Sequence, residues 1–397
     1  MIFIKEGFIK MNKKMVEYKI CKRCIMDTTS DPNLILDDEG VCNYCRNYDR
    51  LIIANKKNKK FDNVEHLFEY MKKESKNLEY DCVLGISGGV DSSYLAYLAK
   101  QYDLRVLAVH VDAGWNSELA VKNIESICKK LDLELHTLVV DWNLMKELQR
   151  AYMYSGLANQ DVPQDQSYTG TYRIAAKNRV KFALNGFNLQ TEGILSNAFQ
   201  QTAFDWINIK DVYKKCGRGY GNINKFPHQS LFDEYVRYPL VCRMEKIAPL
   251  NYVEYSKKHA IEVLEKEFGW KYYGCKHYES RFTKFYQETY LPQRFGWEKR
   301  RDHLSSLVVG GEMTREEAIA EISSEPTTEH TKEEEKNYVL KKLDITQEEF
   351  NTIVSMPYTD GSEFKSIKGY KDKLRKIGLI DTMAKKRREK IDREYQN

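Results

Sequence analysis

The sequence of 397 residues contains no long hydrophobic run. No stretch approaches the ~18 uncharged apolar residues of a transmembrane helix. The opening segment, MIFIKEGFIKMNKKM, interrupts its short apolar pieces with lysine and glutamate, which is not the pattern of a secretion signal. Met11 and Met15 leave the true start of the chain open. We therefore expect a soluble, cytoplasmic protein without a membrane partner.

The sequence also lacks a strong excess of either charge. It has 63 basic and 58 acidic residues and a net charge of +5. A dedicated nucleic-acid binder would carry a concentrated basic face, so this balance favours a solvated surface of mixed charge. We found no internal repeat and no low-complexity segment. The length is sufficient for two or three domains of about 100–200 residues each.

Nine cysteines, an odd number, argue against a disulfide framework. Four of them have the spacing C-x2-C-x17-C-x2-C, namely Cys21, Cys24, Cys42 and Cys45. Each C-x2-C pair presents two sulfurs to one ion, and two pairs complete the tetrahedral shell that Zn²⁺ prefers. The spacing predicts a small structural zinc ribbon with a short strand at 34–36. A four-cysteine iron–sulfur cluster is the alternative.

Further along the chain, strand-like and helix-like patterns alternate. Strands are predicted at 82–86, 106–111, 134–140 and 181–186, and helices at 92–101, 117–131 and 170–180. This alternation indicates an α/β fold with a Rossmann-like parallel sheet, in which ligands bind beyond the carboxyl ends of the strands. We predict three regions: 1–50 with the zinc ribbon, 51–250 with the sheet, and a helical C-terminal region at 251–397.

The segment SGGVDSS joins the first predicted strand to the first predicted helix. Its glycines allow close backbone approach, and successive N–H groups at a helix N-terminus attract an anion. The residues predicted to bind phosphate are Ser87, Gly88, Gly89, Val90, Asp91, Ser92 and Ser93. Asp91 would repel a phosphate unless it binds Mg²⁺, so we assign it to that metal. No lysine follows the glycines, so the loop is not that of γ-phosphate transferases.

This loop closely resembles that of the N-type ATP pyrophosphatases, the PP-loop enzymes with an adenine nucleotide alpha hydrolase-like fold. In that family the loop holds the β,γ-pyrophosphate of ATP while AMP is transferred to a substrate oxygen. The resemblance implies ATP and Mg²⁺ as cofactors, with Ser87 and Asp91 as catalytic residues. It also implies nucleotide or substrate contacts at the ends of the second and fourth strands, from Val111, Asp112, Gly186, Asn188 and Glu192.

A second resemblance concerns the segment WKYYGCKHYESRFTKFYQETYLPQRFG at 270–296. It resembles a stretch of N-acetyl sugar amidotransferases, whose N-terminus is also similar to CKRCIMDTT and GVCNYC in this chain. Cys275 departs from the pattern where a second glycine is expected. The resemblance covers about 18–320 and implies a synthetase subunit that converts the N-acetyl group of a sugar or sugar nucleotide to an acetamidino group. Lys276 and Arg281 are the predicted contacts to a phosphate or sugar carboxylate.

The source of nitrogen and the identity of the acceptor are further expectations. Residue 2 is Ile2 rather than cysteine, and no cysteine lies in a G-x-C-x-G elbow, so the resemblance implies ammonia from a separate glutaminase subunit. Pathways of lipopolysaccharide O-antigen or nonulosonic acid biosynthesis are implied. The chief alternative is a tRNA-thiolating PP-loop enzyme with a zinc ribbon, although no C-x-x-C pair follows Cys45. A non-catalytic nucleotide-binding adaptor is the other alternative, against which the intact Asp91 argues.

Overall fold

The computed structural model describes residues 8–11, 14–31, 33–196, 203–325, 327–376 and 378. An antiparallel hairpin is formed by β1 (Phe8–Met11) and β2 (Lys14–Glu17). A five-stranded parallel sheet has the order β5–β4–β3–β6–β7. Its strands are β3 (Cys82–Gly85), β4 (Val106–Asp112), β5 (Glu134–Val139), β6 (Phe182–Leu184) and β7 (Glu245–Ile247).

Helices precede, connect and follow these strands. The first nine are α1 (Asn43–Asn58), α2 (Val64–Ser75), α3 (Val90–Gln101), α4 (Glu118–Lys130), α5 (Trp142–Ser155), α6 (Val162–Ser167), α7 (Gly170–Lys177), α8 (Leu189–Glu192) and α9 (Trp206–Cys216). After β7 come α10 (Lys257–Phe268), α11 (Arg281–Phe285), α12 (Leu291–Phe295), α13 (Arg300–Gly310), α14 (Arg315–Ser323), α15 (Glu329–Leu343), α16 (Gln347–Ser355) and α17 (Ile367–Lys376). Two π-helical segments span Asp233–Val241 and Tyr286–Tyr290, and 3₁₀ turns span Ile223–Lys225 and Pro249–Tyr252.

The sheet has an apolar core on each face because its inner strands are mostly apolar. In β3, Val83 faces one core and Leu84 faces the other, and both are fully buried. Each such side chain stabilises the fold by about 1.5–3 kcal/mol. Helices α2, α3, α4 and α10 cover the face of Leu84, while α5, α9, α15 and α16 contribute to the core that contains Val83. The edge strand β5 is largely exposed.

The strand order places a topological switch point between β3 and β6. The chain leaves β3 toward β4 on one side, whereas β7 lies beyond β6 on the other side. The loops that follow β3 and β6 therefore diverge and leave a crevice at the carboxyl edge of the sheet, where open α/β sheets bind ligands. SGGVDSS follows β3, and residues 185–192 follow β6.

The predicted α/β fold is confirmed, with differences in detail. All four predicted strands and the three predicted helices are present within a few residues of their expected bounds. Residues 34–36 do not form the predicted strand, because Leu36 makes only an isolated bridge to Cys42. Strand β7 was not predicted, since it has three residues and two of them are charged. The basic segment 384–397 and Asn197 lie outside the described residues.

The four-cysteine region packs against the C-terminal helices α13 and α14. Arg315 donates to the backbone oxygens of Cys21 and Cys24, each at 3.0 Å, and Arg301 pairs with the buried Asp27 at 3.0 Å. The four-cysteine region is thus joined to α13 and α14 by largely buried polar contacts. No described helix combines the length and the apolarity that a membrane span requires.

Candidate active site

The loop between β3 and α3 forms a turn that two glycines make possible. Gly88 has φ of +80°, and a Cβ atom there would lie 2.6 Å from the backbone oxygen of Ala120. The Gly89 N–H donates to Ser87 Oγ at 3.2 Å, and Ser92 Oγ lies 3.2 Å from Ser87 Oγ. Hydroxyls and N–H groups thus converge at the start of α3, the arrangement that binds phosphate oxygens.

Two aromatic residues from the segment at 270–280 lie on this loop. Trp270 Nε1 donates to the backbone oxygen of Gly88 at 3.0 Å, and Trp270 is fully buried. The N–H of Val90, the first residue of α3, donates to the hydroxyl of Tyr273 at 3.3 Å. The Tyr273 oxygen therefore occupies a place at the helix N-terminus where an oxygen of an anion would be favoured.

Asp91 is the centre of a polar cluster at the switch point. Its Oδ1 accepts hydrogen bonds from the hydroxyl of the buried Tyr255 at 2.5 Å and from Asn188 Nδ2 at 3.3 Å. Its Oδ2 lies 3.4 Å from Lys276 Nζ. Burial first, and then the charge of Asp91, raise the pKa of Tyr255, so this phenol stays protonated and donates. Asp91 thus receives partners from three separate parts of the chain.

Lys276 joins the phosphate loop to the segment after β6. Its ammonium lies 2.9 Å from Glu192 Oε1 and donates to Thr191 Oγ1 at 3.2 Å. Only 11% of its side chain is exposed. Burial alone would lower the pKa of Lys276, but the carboxylates of Asp91 and Glu192 outweigh it, and the net pKa is raised. The lysine is therefore charged over the whole physiological pH range.

The structure brings most of the predicted site residues to this crevice. Gly186 touches the loop, since a Cβ atom there would lie 3.0 Å from that of Asp91. Asp112 ends β4 and accepts from the Gly114 N–H at 2.8 Å, whereas the Val111 side chain is buried in the core. Ser93 Oγ is buried without a hydrogen-bond partner in the described part of the chain.

Arg281 lies elsewhere. Its guanidinium makes two hydrogen bonds of 3.0 Å to the carboxylate of Glu335 on α15 and stacks over the Tyr338 ring, 3.4 Å from the ring centroid. It belongs to the contact between α11 and α15, and the structure does not bring it to Asp91. The reason is local: Ser280 caps a new helix, α11, so Lys276 and Arg281 belong to different elements.

The residues of the crevice fit Mg²⁺ and the phosphates of ATP. Magnesium binds proteins through one or two carboxylates together with substrate phosphates. Asp91 and Glu192 offer carboxylate oxygens within 3.4 Å of the Lys276 ammonium, so the pair already accommodates a positive charge. The Ser93 hydroxyl has no hydrogen-bond partner among the described residues, and the N–H groups of Gly89 and Val90 donate to hydroxyl oxygens that a phosphate oxygen could replace.

The four cysteines form a separate, fully buried cluster. The Sγ atoms of Cys21 and Cys45 are 3.9 Å apart, those of Cys24 and Cys42 are 3.7 Å apart, and all four lie within 4.8 Å of one another. Four sulfurs at about 2.3 Å from a tetrahedral Zn²⁺ would be about 3.8 Å apart, so the cluster can hold zinc. Backbone N–H groups point at these sulfurs, for example that of Cys42 at Cys21 Sγ at 3.3 Å.

Several residues of the site were not predicted. Tyr255, Trp270 and Tyr273 contact the loop although they stand far from it in sequence. Glu279 lies against Gly89, and its Oε2 is buried without a partner among the described residues. No short motif marks these residues. The only signal was their position within or near the segment that resembles amidotransferases.

Two protein families match separate parts of the chain. Residues 62–178 match the family described as NAD synthase, and residues 279–377 match the family described as LPS biosynthesis protein WbpG-like, C-terminal domain. The chain joins an NAD synthase-like domain to a WbpG-like C-terminal domain. This combination agrees with the predicted resemblance to a PP-loop sugar amidotransferase.

A curated relative matches a short part of the chain. The tRNA(Ile)-lysidine synthase of Chlamydia pneumoniae is 37% identical over 71 residues, which are 17% of this chain and 22% of that protein. The chain thus matches about a fifth of the length of this curated relative. Because the matched part is so small, the activity of that whole protein is not transferred to this chain.

Two solved structures are also similar in part. The NH3-dependent NAD synthetase from Campylobacter jejuni, in complex with the nitrate ion, is 14% identical with a TM-score of 0.24, covering 52% of this chain and 92% of that one. The NMN synthetase from Francisella tularensis is 17% identical with a TM-score of 0.26, covering 52% and 91%. Scores this low support no statement about the site.

Proposed function

We propose that this chain is the synthetase subunit of a sugar amidotransferase, which uses ATP to convert an N-acetyl group of a sugar or sugar nucleotide to an acetamidino group. The observation that carries this proposal is the position of Lys276. This residue of the amidotransferase-like segment contacts Asp91 of the phosphate loop and Glu192 of the segment after β6. Three motifs that are far apart in sequence therefore meet at one point of the sheet. The WbpG-like match at 279–377 supports the same class of acceptor.

An amide oxygen is a poor leaving group, and the proposed reaction converts it into a good one by transferring AMP to it. The acetamido oxygen attacks the α-phosphorus of ATP, and the bond from this phosphorus to the bridging oxygen breaks, so pyrophosphate leaves with the electron pair. The product is an O-adenylated imidate. Ammonia adds through its nitrogen to the imidate carbon, the carbon–oxygen bond breaks, and AMP leaves with the former amide oxygen. The added nitrogen loses its surplus protons to solvent, and an acetamidine remains.

The residues of the crevice have distinct roles in this proposal. The N–H groups of Gly88 and Gly89 and the hydroxyls of Ser87 and Ser92 bind the pyrophosphate and hold it while negative charge develops. Asp91, together with Glu192, would hold Mg²⁺, which neutralises charge on the phosphates. Lys276 supplies a fixed positive charge beside the same oxygens.

We further propose that a separate glutaminase subunit supplies the ammonia. A cysteine nucleophile acts as the thiolate, so glutaminase activity needs a thiol of low pKa. Outside the four-cysteine cluster, burial raises the pKa of Cys82, Cys128, Cys216 and Cys275, that of Cys128 to about 11. These thiols are unsuited to that role, and this supports an external source of nitrogen.

Isotope transfer tests the reaction. The purified chain is incubated with Mg²⁺, ATP, ammonium and a panel of diacetamido sugars and sugar nucleotides whose acetyl oxygens carry ¹⁸O. We expect one acceptor to release AMP and pyrophosphate, to pass its label to AMP, and to yield a product lighter by the difference between an oxygen atom and an NH group. Formation of ADP, or label that stays in the sugar, would refute the proposal.

Controls separate the proposed reaction from its alternatives. Asp91→Asn keeps the shape of the side chain and removes its charge, so AMP formation should fall about 100-fold or more. Bulk tRNA with a sulfur donor replaces the sugar in a parallel reaction. Release of AMP that depends on tRNA, and not on sugar, would favour the tRNA-modifying alternative.

A further inference from the structure

A second pocket lies behind Lys276, on the side away from the phosphate loop. Its cavity volume is about 40 Å³, and it is lined by the 272–278 segment, α10, α13, α14 and Thr191 of α8. Three cationic side chains line it, from Lys257, Lys276 and Arg300, against the single carboxylate of Glu321. The pocket is therefore electropositive at a point that adjoins the proposed reaction centre.

Lys257 is the most informative residue of this pocket. Its ammonium donates to the Tyr272 hydroxyl at 3.0 Å and forms no ion pair in the described part of the chain. The carboxylate of Glu312 accepts from the Lys257 backbone N–H at 3.1 Å and makes no contact with the ammonium among the described residues. Lys257 is also the first residue of α10, where the helix dipole disfavours a cation. Among the described residues the Lys257 ammonium therefore has no carboxylate at ion-pair distance, and the charges of Asp91 and Glu321 act on it only from farther away.

The other basic groups have different surroundings. Arg300 is held by Glu298 at 3.0 Å and by backbone oxygens of the chain after α14. His303 faces the same pocket, and burial together with the neighbouring cations Lys299, Lys276 and Lys257 lowers its pKa well below the usual range. Burial, and then the charge of Lys276, also lower the pKa of Lys257. The neighbouring cations thus add to the effect of burial at Lys257 and His303, and an anionic ligand in the pocket would oppose both.

The position of the pocket along the sequence indicates which ligand it takes. All of its lining residues lie outside 62–178, the range that matches NAD synthase and contains the phosphate loop. Gln287, Arg300, His303, Leu304, Leu307 and Glu321 lie inside 279–377, the range that matches the WbpG-like domain. The pocket is thus built by the part of the chain that differs from NAD synthase, so its ligand is the acceptor and not the nucleotide.

We propose that this pocket binds the anionic group of the acceptor, a phosphate or a carboxylate, with Lys257 as its principal contact. The inference rests on the proposed sugar acceptor and makes it more specific: the sugar carries a negative charge in addition to its N-acetyl group. Bound there, the anion is separated from the phosphate loop by Lys276, so the sugar can present its acetamido oxygen toward the crevice.

Calorimetric titration of the full chain, without turnover, tests this inference. UDP-N-acetylglucosamine offers a diphosphate, N-acetylneuraminate offers a carboxylate, and N-acetylglucosamine is the neutral reference. We expect at least one anionic probe to bind more tightly than the neutral sugar and to lose affinity as salt is added. Lys257→Met should weaken that probe about tenfold or more, because a charged contact is lost. Lys257→Arg should retain affinity within about threefold.

Lys258→Met is the matched control, since Lys258 is the next residue and is exposed. It should change the affinity for the anionic probe less than about twofold. Thermal unfolding of Lys257→Met should show a Tm that is unchanged or higher, because an unbalanced buried charge is removed. Equal binding of neutral and anionic probes, or full affinity in Lys257→Met, would overturn the proposal. So would a loss of MgATP affinity as large as that of the probe.

The two proposals fail in different ways. The titration contains no ATP turnover, so a negative result leaves the ¹⁸O experiment unaffected. Conversely, label that never reaches AMP would refute the amidotransferase reaction while a Lys257-dependent affinity for anions would still stand.

Discussion

The four-cysteine cluster and the Asp91 cluster both gather polar groups from separate segments, but they balance their charges differently. The four sulfurs are completely buried and mutually close, and only a bound ion can satisfy four thiolates at once. The carboxylates of Asp91 and Glu192 are balanced by the ammonium of Lys276, a side chain that can exchange partners. When all the sulfur donors of a cluster bind one ion, the cluster stabilises the surrounding structure. A cluster whose carboxylates are balanced by an ammonium of the protein itself needs no resident ion, so it can accept and release a ligand at each turnover.

The largest expected effect concerns the cysteine cluster. Removing its metal with a chelator, or replacing a ligand by Cys24→Ser, should lower the free energy of unfolding by about 5 kcal/mol or more, because metal binding and folding of such a site are coupled. Thermal unfolding with metal analysis measures this, and the analysis also distinguishes zinc from iron. Cys242→Ser lies outside the cluster and should cost less than about 1 kcal/mol. Similar losses in both variants would contradict the structural role.

A smaller effect is expected for the ammonium of the other cluster. Lys276→Met leaves Asp91 and Glu192 without a cation, which should cost about 3–5 kcal/mol of unfolding free energy, as for a broken buried ion pair. Millimolar Mg²⁺ should restore part of this loss, because the ion takes the place of the ammonium. Lys266→Met, an exposed lysine on α10, serves as the control and should change stability by about 0.5 kcal/mol or less. A loss that Mg²⁺ does not reduce would contradict the comparison.

Asp161 sharpens the comparison because it is a partly buried carboxylate group that accepts a hydrogen bond from the Thr283 hydroxyl at 3.1 Å. Burial raises its pKa to about 7. Between about pH 4 and pH 7 the folded chain keeps a proton that the unfolded chain releases, so the free energy of unfolding falls as pH rises through this range. Asp161→Asn should remove this fall and gain about 2 kcal/mol relative to wild type from pH 5 to pH 8.

Denaturant unfolding across this pH range is the measurement for Asp161, and Asp38→Asn, at an exposed position, is its control. The stability difference between Asp38→Asn and wild type should stay nearly constant with pH. A difference for Asp161→Asn that is equally constant would mean that the carboxyl titrates normally.

The smallest expected effect concerns Arg281, which we expect to contribute to stability and not to the reaction. Lysine cannot reproduce the two-pronged contact with Glu335 or the stack on Tyr338, so Arg281→Lys should cost about 1 kcal/mol of stability. The KM for the acceptor should not change. Glu335→Gln should give a similar loss, since it weakens the same contact. If Arg281→Lys instead raised the KM for the acceptor and left the Tm unchanged, Arg281 would belong to the acceptor site.

The sequence predicted the parts of the molecule that depend on neighbouring residues. The phosphate loop follows from seven contiguous residues between a strand and a helix, and the cysteine cluster follows from two C-x2-C turns. Strands β3, β4 and β6 were found because their apolar runs are buried on the inside of the sheet, whereas β5 was found although it is a largely exposed edge strand. Lys276 was expected near a phosphate, and its ion pair with Asp91 agrees with that expectation, although its role stays a prediction.

The contacts that were missed link residues far apart in sequence. Tyr255 and Tyr273 lie 164 and 183 positions from the loop residues that they contact. A tyrosine in an aromatic-rich segment has the same sequence surroundings whether it lies in a core or in a binding site. Lys257 looked like any lysine at the start of an amphipathic helix, because the pocket that encloses it is formed by α13 and the 272–278 segment. Arg281 was grouped with Lys276 only by proximity in sequence, and the helix start at Ser280 separates them.

The contact between Arg315 and Cys21 also bears on how the chain is made. These residues are 294 positions apart, and a ribosome that adds about 5–20 residues per second needs about 15–60 s to travel between them. During that interval the four-cysteine region has been synthesised, but helices α13 and α14, which later pack against it, have not. If this region folds during that interval, a metal held by the four cysteines would have to stabilise it without its contacts to α13 and α14.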